Sequence, residues 1–277
     1  MKKILSILLL AFAMLLSACG WVKYEYKDGM MYEDGKGATG TFEFKSGDYK
    51  IKGNFINGFP DGLLEKYYSD GSIMVKDNFE NRELKKEEIF YKNGNLMTDL
   101  SSDKILKLYY EDGQLVMTSN MKTGESAIYY ENGNPLMIMG TAESILYNEK
   151  KEILFKISNG KSIDIGTTLK SLTDGSFELV KNNKVIAKID SNGEIVNYLY
   201  STGETLMKSN SINNATEIFF KDGKTFFKGE ENSITFYYKN EKPLYELEGN
   251  RWKFFDIEGN EIIGNSENIT DIKKIDK

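Results

Sequence analysis

The stretch YYENG at residues 129–133 belongs to a word that recurs along the chain: two aromatic residues, one variable residue, Asp or Asn, and then Gly. Clear copies are YYSDG (67–71), FYKNG (90–94), YYEDG (109–113) and FFKDG (219–223), and YYKNE (237–241) is a weaker one. Successive glycines of the first four copies in the chain, at positions 71, 94, 113 and 133, lie 19 to 23 residues apart. A period of that length predicts a repeat architecture.

Each copy of the word predicts a β-hairpin. Asp-Gly and Asn-Gly between apolar runs suit a type I′ turn, because both residues tolerate a positive φ. The two aromatic residues end the incoming strand and face opposite sides of the sheet. The returning strand is expected to alternate, as with Leu115 and Met117 or Leu136 and Ile138. The charged stretch RELKKEEI (82–89) falls at a strand position of the repeat, which favours a strand over a helix there.

A second turn element alternates with the aromatic word. GNFIN, within YKIKGNFINGFPDG (49–62), returns 24 residues later as DNFEN (77–81). Together the two elements resemble the MORN repeat family, in its bacterial variant of the YwqK-like antitoxin type. The resemblance covers most of residues 24–259. It implies an all-β fold, an elongated single-sheet solenoid of antiparallel β-hairpins with clear repeats at 49–150 and 198–259 and drifted repeats at 151–197.

The first twenty residues, MKKILSILLLAFAMLLSACG, place two lysines before an apolar run and small residues before a cysteine. This layout is typical of a secretory signal peptide, here a helical leader at residues 1–18 before a mature repeat domain at 19–277. The segment LSAC, ending at Cys19, resembles the lipobox of bacterial lipoproteins, which implies cleavage before Cys19 and its acylation, palmitate included. Cys19 is the only cysteine, so it has no partner for a disulfide within the chain.

The leader and the lipobox predict an exported protein that is anchored to the cell envelope by its N-terminal lipid. Gly20 after the cysteine implies the outer membrane in a Gram-negative host, and a Gram-positive host would hold it at the plasma membrane. The chain carries 42 acidic against 36 basic residues, a formal charge of −6 that becomes −8 when Lys2 and Lys3 leave with the leader. Such an acidic body argues against nucleic acid as a partner and against a basic membrane-binding patch.

The composition also removes most catalytic chemistry. Histidine is absent, which excludes His-based acid–base catalysis and the Ser-His-Asp triad and disfavours a zinc site. A pair of carboxylates could still serve a glycoside hydrolase, but the neighbours Glu87 and Glu88 face opposite sides of a strand. GKGATG (35–40) matches a dinucleotide fingerprint only in its letters, because a strand pattern follows it rather than a helix. We therefore predict no catalytic, cofactor or metal residues, and no enzyme.

The paired aromatic residues form two rows along the sheet. Tyr68, Tyr91, Tyr110 and Tyr130 share one repeat position, and Tyr67, Phe90, Tyr109 and Tyr129 share the other. Either row can be packing, and the first row is the candidate contact ladder for a protein or glycan partner.

The function that these features favour is a non-catalytic envelope lipoprotein whose repeat ribbon is a binding or scaffolding surface. An antitoxin or immunity protein that neutralises a toxin is the alternative that the family resemblance adds. An envelope glycan hydrolase is a third and weaker hypothesis.

Overall fold

A computed structural model describes residues 22–249, 251–262 and 269–275. These residues form strands and turns, with no helix among them. The predicted leader at 1–18 and the predicted lipidation site, Cys19, lie outside the described residues. Within the described ranges, the chain contains no helix that is long and apolar enough to cross a membrane.

The described strands are divided among three antiparallel sheets. The small sheet contains β1 (Tyr24–Lys27), β2 (Met30–Glu33) and β3 (Lys36–Gly37). The large sheet has fourteen strands in the order β16 to β4 followed by β27: β4 (Gly40–Ser46), β5 (Tyr49–Ile56), β6 (Phe59–Tyr67), β7 (Ile73–Glu80), β8 (Glu83–Phe90), β9 (Leu96–Leu100), β10 (Ile105–Tyr109), β11 (Leu115–Asn120), β12 (Glu125–Tyr129), β13 (Pro135–Met139), β14 (Glu143–Tyr147), β15 (Ile153–Ser158), β16 (Lys161–Ser162) and β27 (Ile269–Ile275). The second sheet has ten strands in chain order: β17 (Thr168–Ser171), β18 (Phe177–Lys181), β19 (Lys184–Ile189), β20 (Ile195–Leu199), β21 (Thr205–Asn210), β22 (Ala215–Phe219), β23 (Thr225–Glu230), β24 (Ser233–Tyr237), β25 (Pro243–Glu248) and β26 (Arg251–Phe254).

The predicted all-β architecture of antiparallel hairpin repeats is confirmed, and RELKKEEI forms strand β8 as expected. The GKGATG segment enters strand β4 and opens no helix. The strands do not, however, continue as one sheet. The ladder breaks between β16 and β17, inside the drifted repeats at 151–197, and the chain starts a second sheet there. The large sheet is therefore roughly 60 Å wide at about 4.8 Å per strand.

The second sheet lies against one face of the large sheet. Rings from the two sheets meet in the pairs Tyr110–Tyr238, Tyr130–Tyr200 and Phe155–Tyr198, with centroids 6.4, 6.2 and 5.8 Å apart. A single buried apolar cluster includes residues from both sheets. The chain folds back because one apolar sheet face left in water costs about 25 cal/mol for each Å² exposed, and a second sheet removes that face from water. The single ribbon expected from the repeats is thus replaced by two packed sheets.

The small sheet covers the other end of the large one. Met31 N donates to Gly58 O at 2.9 Å, and Gly58 N donates to Ala38 O at 2.8 Å, so β2 and the following loop are fixed to the turn between β5 and β6. A Cβ at Gly37 would lie 2.4 Å from Asn57 O, and only glycine fits this approach. Beneath this contact, Met31 packs with Phe42 and other buried rings of β4 and β5.

The two turn elements have different geometries. The second element forms type I′ turns, as at Asn57 and Gly58 with φ of 50° and 86°. The aromatic word does not, contrary to the prediction. In YYEDG only Gly113 has a positive φ, of 84°, and Gly113 N donates to Tyr110 O while Tyr110 N donates to Gln114 O. This is a type I turn followed by a left-handed glycine, the usual three-residue hairpin loop.

A β-bulge accompanies each aromatic turn and changes the pattern of the returning strand. The register shifts between Leu108 and Tyr109, for example, where β10 meets β11. The bulge lets two successive residues of the returning strand, Val116 and Met117, face the core, and both are buried. The strict alternation predicted for Leu115 and Met117 is therefore wrong, because Leu115 lies on the opposite face and is only half-buried.

Some repeats place a non-glycine residue at the left-handed position of the turn. Lys151 occupies it with φ of 63° and donates its N–H to Asn148 O, as the glycines do in the clear copies. A left-handed conformation costs an L-residue about 1–2 kcal/mol. We expect Lys151→Gly to raise the free energy of unfolding by about 1 kcal/mol in urea titrations. The matched control Lys150→Gly, one position earlier, should lower it, and a stabilising control would contradict the turn assignment.

Candidate functional site

The inner tyrosine row is a ladder of hydrogen bonds rather than an open surface along most of its length. Tyr68 and Tyr91, proposed above as contact residues, are buried at 7% and 1% exposure. Their hydroxyls donate to Phe90 O and Tyr109 O at 2.7 and 2.8 Å. Each hydroxyl therefore ties one repeat to the carbonyl that ends the equivalent strand of the next repeat. At these two positions the row serves packing between repeats.

The remaining predicted members, Tyr110 and Tyr130, are half-buried and stand at an opening between the sheets. The Tyr130 hydroxyl, like those of Tyr68 and Tyr91, donates to a carbonyl of the next repeat, here Tyr147 O at 2.8 Å. The hydroxyl of Tyr110 is buried and has no hydrogen-bond partner. Burial, then the carboxylates of Glu131 and Asp112, raise the pKa of Tyr110, so the group is neutral and keeps its proton.

Two adjoining cavities share Tyr110 and Glu131 in their walls, and we call them together the tyrosine cleft. The first has a volume of about 220 Å³ and is lined mainly by aromatic rings of both sheets. The second has a volume of about 640 Å³ and is lined by amide and acidic side chains of the turns. The cleft joins residues from repeats far apart in the chain, and only the fold-back of the second sheet brings them together.

The outer faces of both sheets carry rows of opposed charges. On the large sheet, directly paired neighbours run across eight strands in the order Lys273, Glu43, Lys52, Glu65, Lys76, Glu88, Asp99 and Lys107. The one like-charged pair, Glu88 and Asp99, is neutralised by Lys86, whose Nζ lies 2.6 and 3.9 Å from their carboxylates. Each opposite-charge pair across strands contributes roughly 0.2–1 kcal/mol.

An apolar stripe runs beside the charge row on the same outer face. Its members are half-buried and lie one to a strand from β6 to β15, mostly in direct pairs: Tyr67, Ile73, Phe90, Leu96, Tyr109, Leu115, Tyr129, Pro135, Tyr147 and Ile153. We call this set the outer stripe. The first aromatic residue of each word, which the sequence places in the opposite row, thus provides the long surface that the contact ladder does not.

A carboxylate pair lies on the inner face of the large sheet, and the sequence did not indicate it. Asp77 on β7 and Glu87 on β8 are direct cross-strand partners. Burial and the nearby Glu87 raise the pKa of Asp77 to about 7, and burial raises the pKa of Glu87. Asp77 Oδ1 is buried without a hydrogen-bond partner. Asp77 therefore keeps its proton up to near neutral pH.

The expectation that Glu87 and Glu88 face opposite sides of a strand is confirmed. Glu87 opposes Asp77, whereas Glu88 opposes Lys76 in the outer charge row. Within the described ranges, no group of three or more His, Cys, Asp or Glu side chains is placed to hold a metal ion.

The Asp77–Glu87 pair predicts a pH-dependent stability. The folded protein keeps a proton that the unfolded chain releases above about pH 4, so stability falls as the pH rises from about 4 to about 7. We expect Asp77→Asn to raise the free energy of unfolding at pH 8 and to change it little at pH 4, as measured by urea titration. Asp103→Asn, at an exposed turn, is the control and should show no such dependence. An equal effect of Asp77→Asn at both pH values would refute the raised pKa of Asp77.

One comparison with known proteins supports the repeat architecture. A family model described as a MORN repeat variant matches residues 60–81, which hold most of β6 and all of β7. The comparison with curated proteins gives no match.

Among solved structures, the TCP10 domain of Danio rerio CPAP is 14% identical, with 74% of this chain and 95% of that chain covered and a TM-score of 0.25. The same domain in complex with a peptide of Danio rerio STIL is 13% identical, with 80% and 97% covered and a TM-score of 0.22. A protein of unknown function from Bacteroides caccae is 12% identical, with 76% and 74% covered and a TM-score of 0.20. The family match and the recurring hairpins together show that this chain contains MORN-like repeats.

Proposed function

We propose that this protein is a non-catalytic lipoprotein of the cell envelope whose repeat sheets present a binding or scaffolding surface to a protein partner. The observation that carries the proposal is the outer stripe. Its ten side chains lie on ten successive strands and remain partly exposed, whereas isolated apolar residues are what a surface without a partner usually shows.

The chemistry of the outer stripe suits a protein partner. Aromatic side chains such as Tyr are frequent among the few residues that dominate the binding energy of protein interfaces. The stripe has an aromatic side chain on every second strand from β6 to β14. The adjacent charge row gives a pattern that charges on a partner can match. This favours one alignment of the partner along the stripe over others. The five aromatic residues span about 40 Å at the usual strand spacing, enough for an extended contact.

The proposed anchor is the acylated Cys19, which would hold the N-terminal end of the protein at the membrane. Lipid attachment leaves the acidic body free to face a partner without any need for basic membrane contacts. The small sheet β1–β3 is then the part of the described chain nearest the membrane, because it follows the leader directly.

The anchor is tested by Cys19→Ala. We expect this variant to move from the detergent phase to the aqueous phase in detergent partitioning, because the acyl chains supply the membrane affinity. The wild-type protein treated in parallel is the reference. A variant that stays in the detergent phase would show that something other than the Cys19 lipid holds the protein.

The outer stripe is tested by replacing two of its rings. We expect the double variant Phe90→Ser and Tyr109→Ser to lose a partner that wild type captures from a detergent-solubilised envelope fraction, with affinity lowered more than about tenfold. Ile212→Ser is the control, because Ile212 is 68% exposed in a turn of the second sheet. Unchanged capture by a double variant that keeps its β circular-dichroism spectrum would reject the stripe as the binding surface.

The identity of the captured partner also decides the alternative role. A toxin whose activity is blocked by wild type, and not by the stripe variant, would establish the antitoxin function that the family resemblance suggests. Structural envelope proteins would support scaffolding.

A further inference from the structure

Acidic residues of one sheet face basic residues of the other across the tyrosine cleft. Each of these residues occupies the same place in its turn, directly after the residue whose carbonyl accepts the N–H that closes the turn. On the large sheet they are Glu111, Glu131 and Glu149, and on the second sheet they are Lys221 and Lys239. The repeat therefore sets acids and lysines opposite each other at regular intervals.

Two of the three acids have a lysine across the cleft. Lys239 Nζ forms an ion pair with Glu131 and lies 5.8 Å from the centroid of the Phe220 ring. Lys221 and Glu149 both line the first cavity. Burial alone would raise the pKa of Glu149, but hydrogen bonds from Ser201 and the nearby charge of Lys221 lower it. The cleft thus already pairs ammonium groups with these acids.

The third acid, Glu111, has no such lysine. The last two turns of the second sheet close in the same way, with an N–H donated to Tyr238 O in one and to Asp256 O in the other. Ile257 therefore occupies the position that Lys239 holds one repeat earlier. Glu111 and Ile257 both line the second cavity. Among the described residues, the carboxylate of Glu111 has neither an ion pair nor a hydrogen bond.

The surroundings of Glu111 are negative. Burial, then the charges of Glu258 and Asp256, raise the pKa of Glu111. Asp112 also lines the second cavity, again without an ion pair in the described part of the chain. Carboxylates that repel one another favour a cation between them. The described acids are not arranged to hold a metal ion, whereas an organic ammonium group suits this wall as a lysine suits Glu131.

The second cavity also has room for the chain that carries such a group. Its volume is about 640 Å³, and the rings of Tyr110 and Tyr238 form part of its wall. We propose that this cavity binds a primary ammonium group on an alkyl chain, paired with Glu111 as lysines pair with the acids of the neighbouring repeats. The outer stripe lies on the opposite face of the large sheet, so the two sites can succeed or fail separately.

The test is isothermal titration of the full-length protein in detergent, at about 0.15 M salt to screen weak attraction to the acidic surface. The ligands are spermidine and the peptide N-acetyl-Gly-Lys-Gly amide, and we expect at least one to bind with a 1:1 stoichiometry. Tighter binding of spermidine assigns the site to a free polyamine, and tighter binding of the peptide assigns it to a lysine side chain of a protein. Failure of both in the millimolar range, or equal binding of a peptide with norleucine in place of lysine, would overturn the proposal.

Supplying the lysine from the chain itself gives a sharper test. Ile257 is 41% exposed, so a longer side chain can be accommodated. Ile257→Lys should pair with Glu111, weaken ammonium binding at least about tenfold by competition, and melt no lower than wild type. Ile257→Gln is the matched control without a charge and should keep the affinity of wild type. An unchanged affinity of Ile257→Lys would contradict the assigned position.

Removal of the acid completes the test. Glu111→Gln should weaken ammonium binding about tenfold, because a charged hydrogen bond is lost. It should melt no lower than wild type, because repulsion by Glu258 and Asp256 is relieved. Glu231→Gln is the control for net charge, since Glu231 is exposed in the turn at the opposite end of β24 from Tyr238. Equal affinities of wild type and Glu111→Gln, or an equal loss in Glu231→Gln, would disprove the site.

Discussion

The left-handed glycine turn, with the bulge beside it, is the constraint on which the rest of this structure depends. The glycine ends each aromatic word and lets the strand reverse within three residues. The bulge then sets two successive residues of the returning strand on the same side of the sheet. Because the unit recurs, most repeats deliver a doublet of apolar residues to one face, as Leu206 and Met207 do in the second sheet. That face is apolar enough to require a second sheet over it, whereas the opposite face combines the charge row with the outer stripe.

The two faces therefore have different roles. The inner face supplies the core and the cleft, which need residues from both sheets, and the tyrosine ladder, whose hydrogen bonds join successive repeats of the same sheet. The outer face of the large sheet carries two parallel rows along the surface, one of opposed charges and one of apolar side chains. In each word the second aromatic residue lies on the inner face and the first lies on the outer face. This follows because successive side chains of a strand point to opposite faces of the sheet. One five-residue word thus generates both a core contact and a surface contact at each repeat.

Local features of the fold could be predicted from the sequence, and features that depend on distant contacts could not. The hairpins, their order and the strand at 83–90 follow from the spacing of turn residues. The break into two sheets does not, because it depends on contacts such as Tyr110 with Tyr238, which no local pattern specifies. The Asp77–Glu87 pair depends on a shift of only one residue in the pairing of β7 with β8, which the sequence does not reveal. A two-residue turn at Asn81 and Arg82 without a bulge would place Asp77 opposite Lys86. The bulge after Asn78 shifts the register by one residue and places Glu87 there instead.

The same limit applies to the cleft. The four tyrosines of the inner row were found by their repeat position, but the sequence treats them as equivalent. What distinguishes Tyr110 is a hydroxyl without an acceptor, and this becomes visible only when the second sheet is in place.

The last strand completes the large sheet from an unexpected direction. β27 pairs with β4, so residues at opposite ends of the chain become neighbours. Contacts between such distant segments are slow to form, and the edge of β4 stays open until β27 pairs with it. Until that moment the protein carries an unprotected sheet edge of the kind that promotes association between chains. The pairing of β27 therefore closes an edge that is exposed in any partly folded state in which this strand has not yet docked.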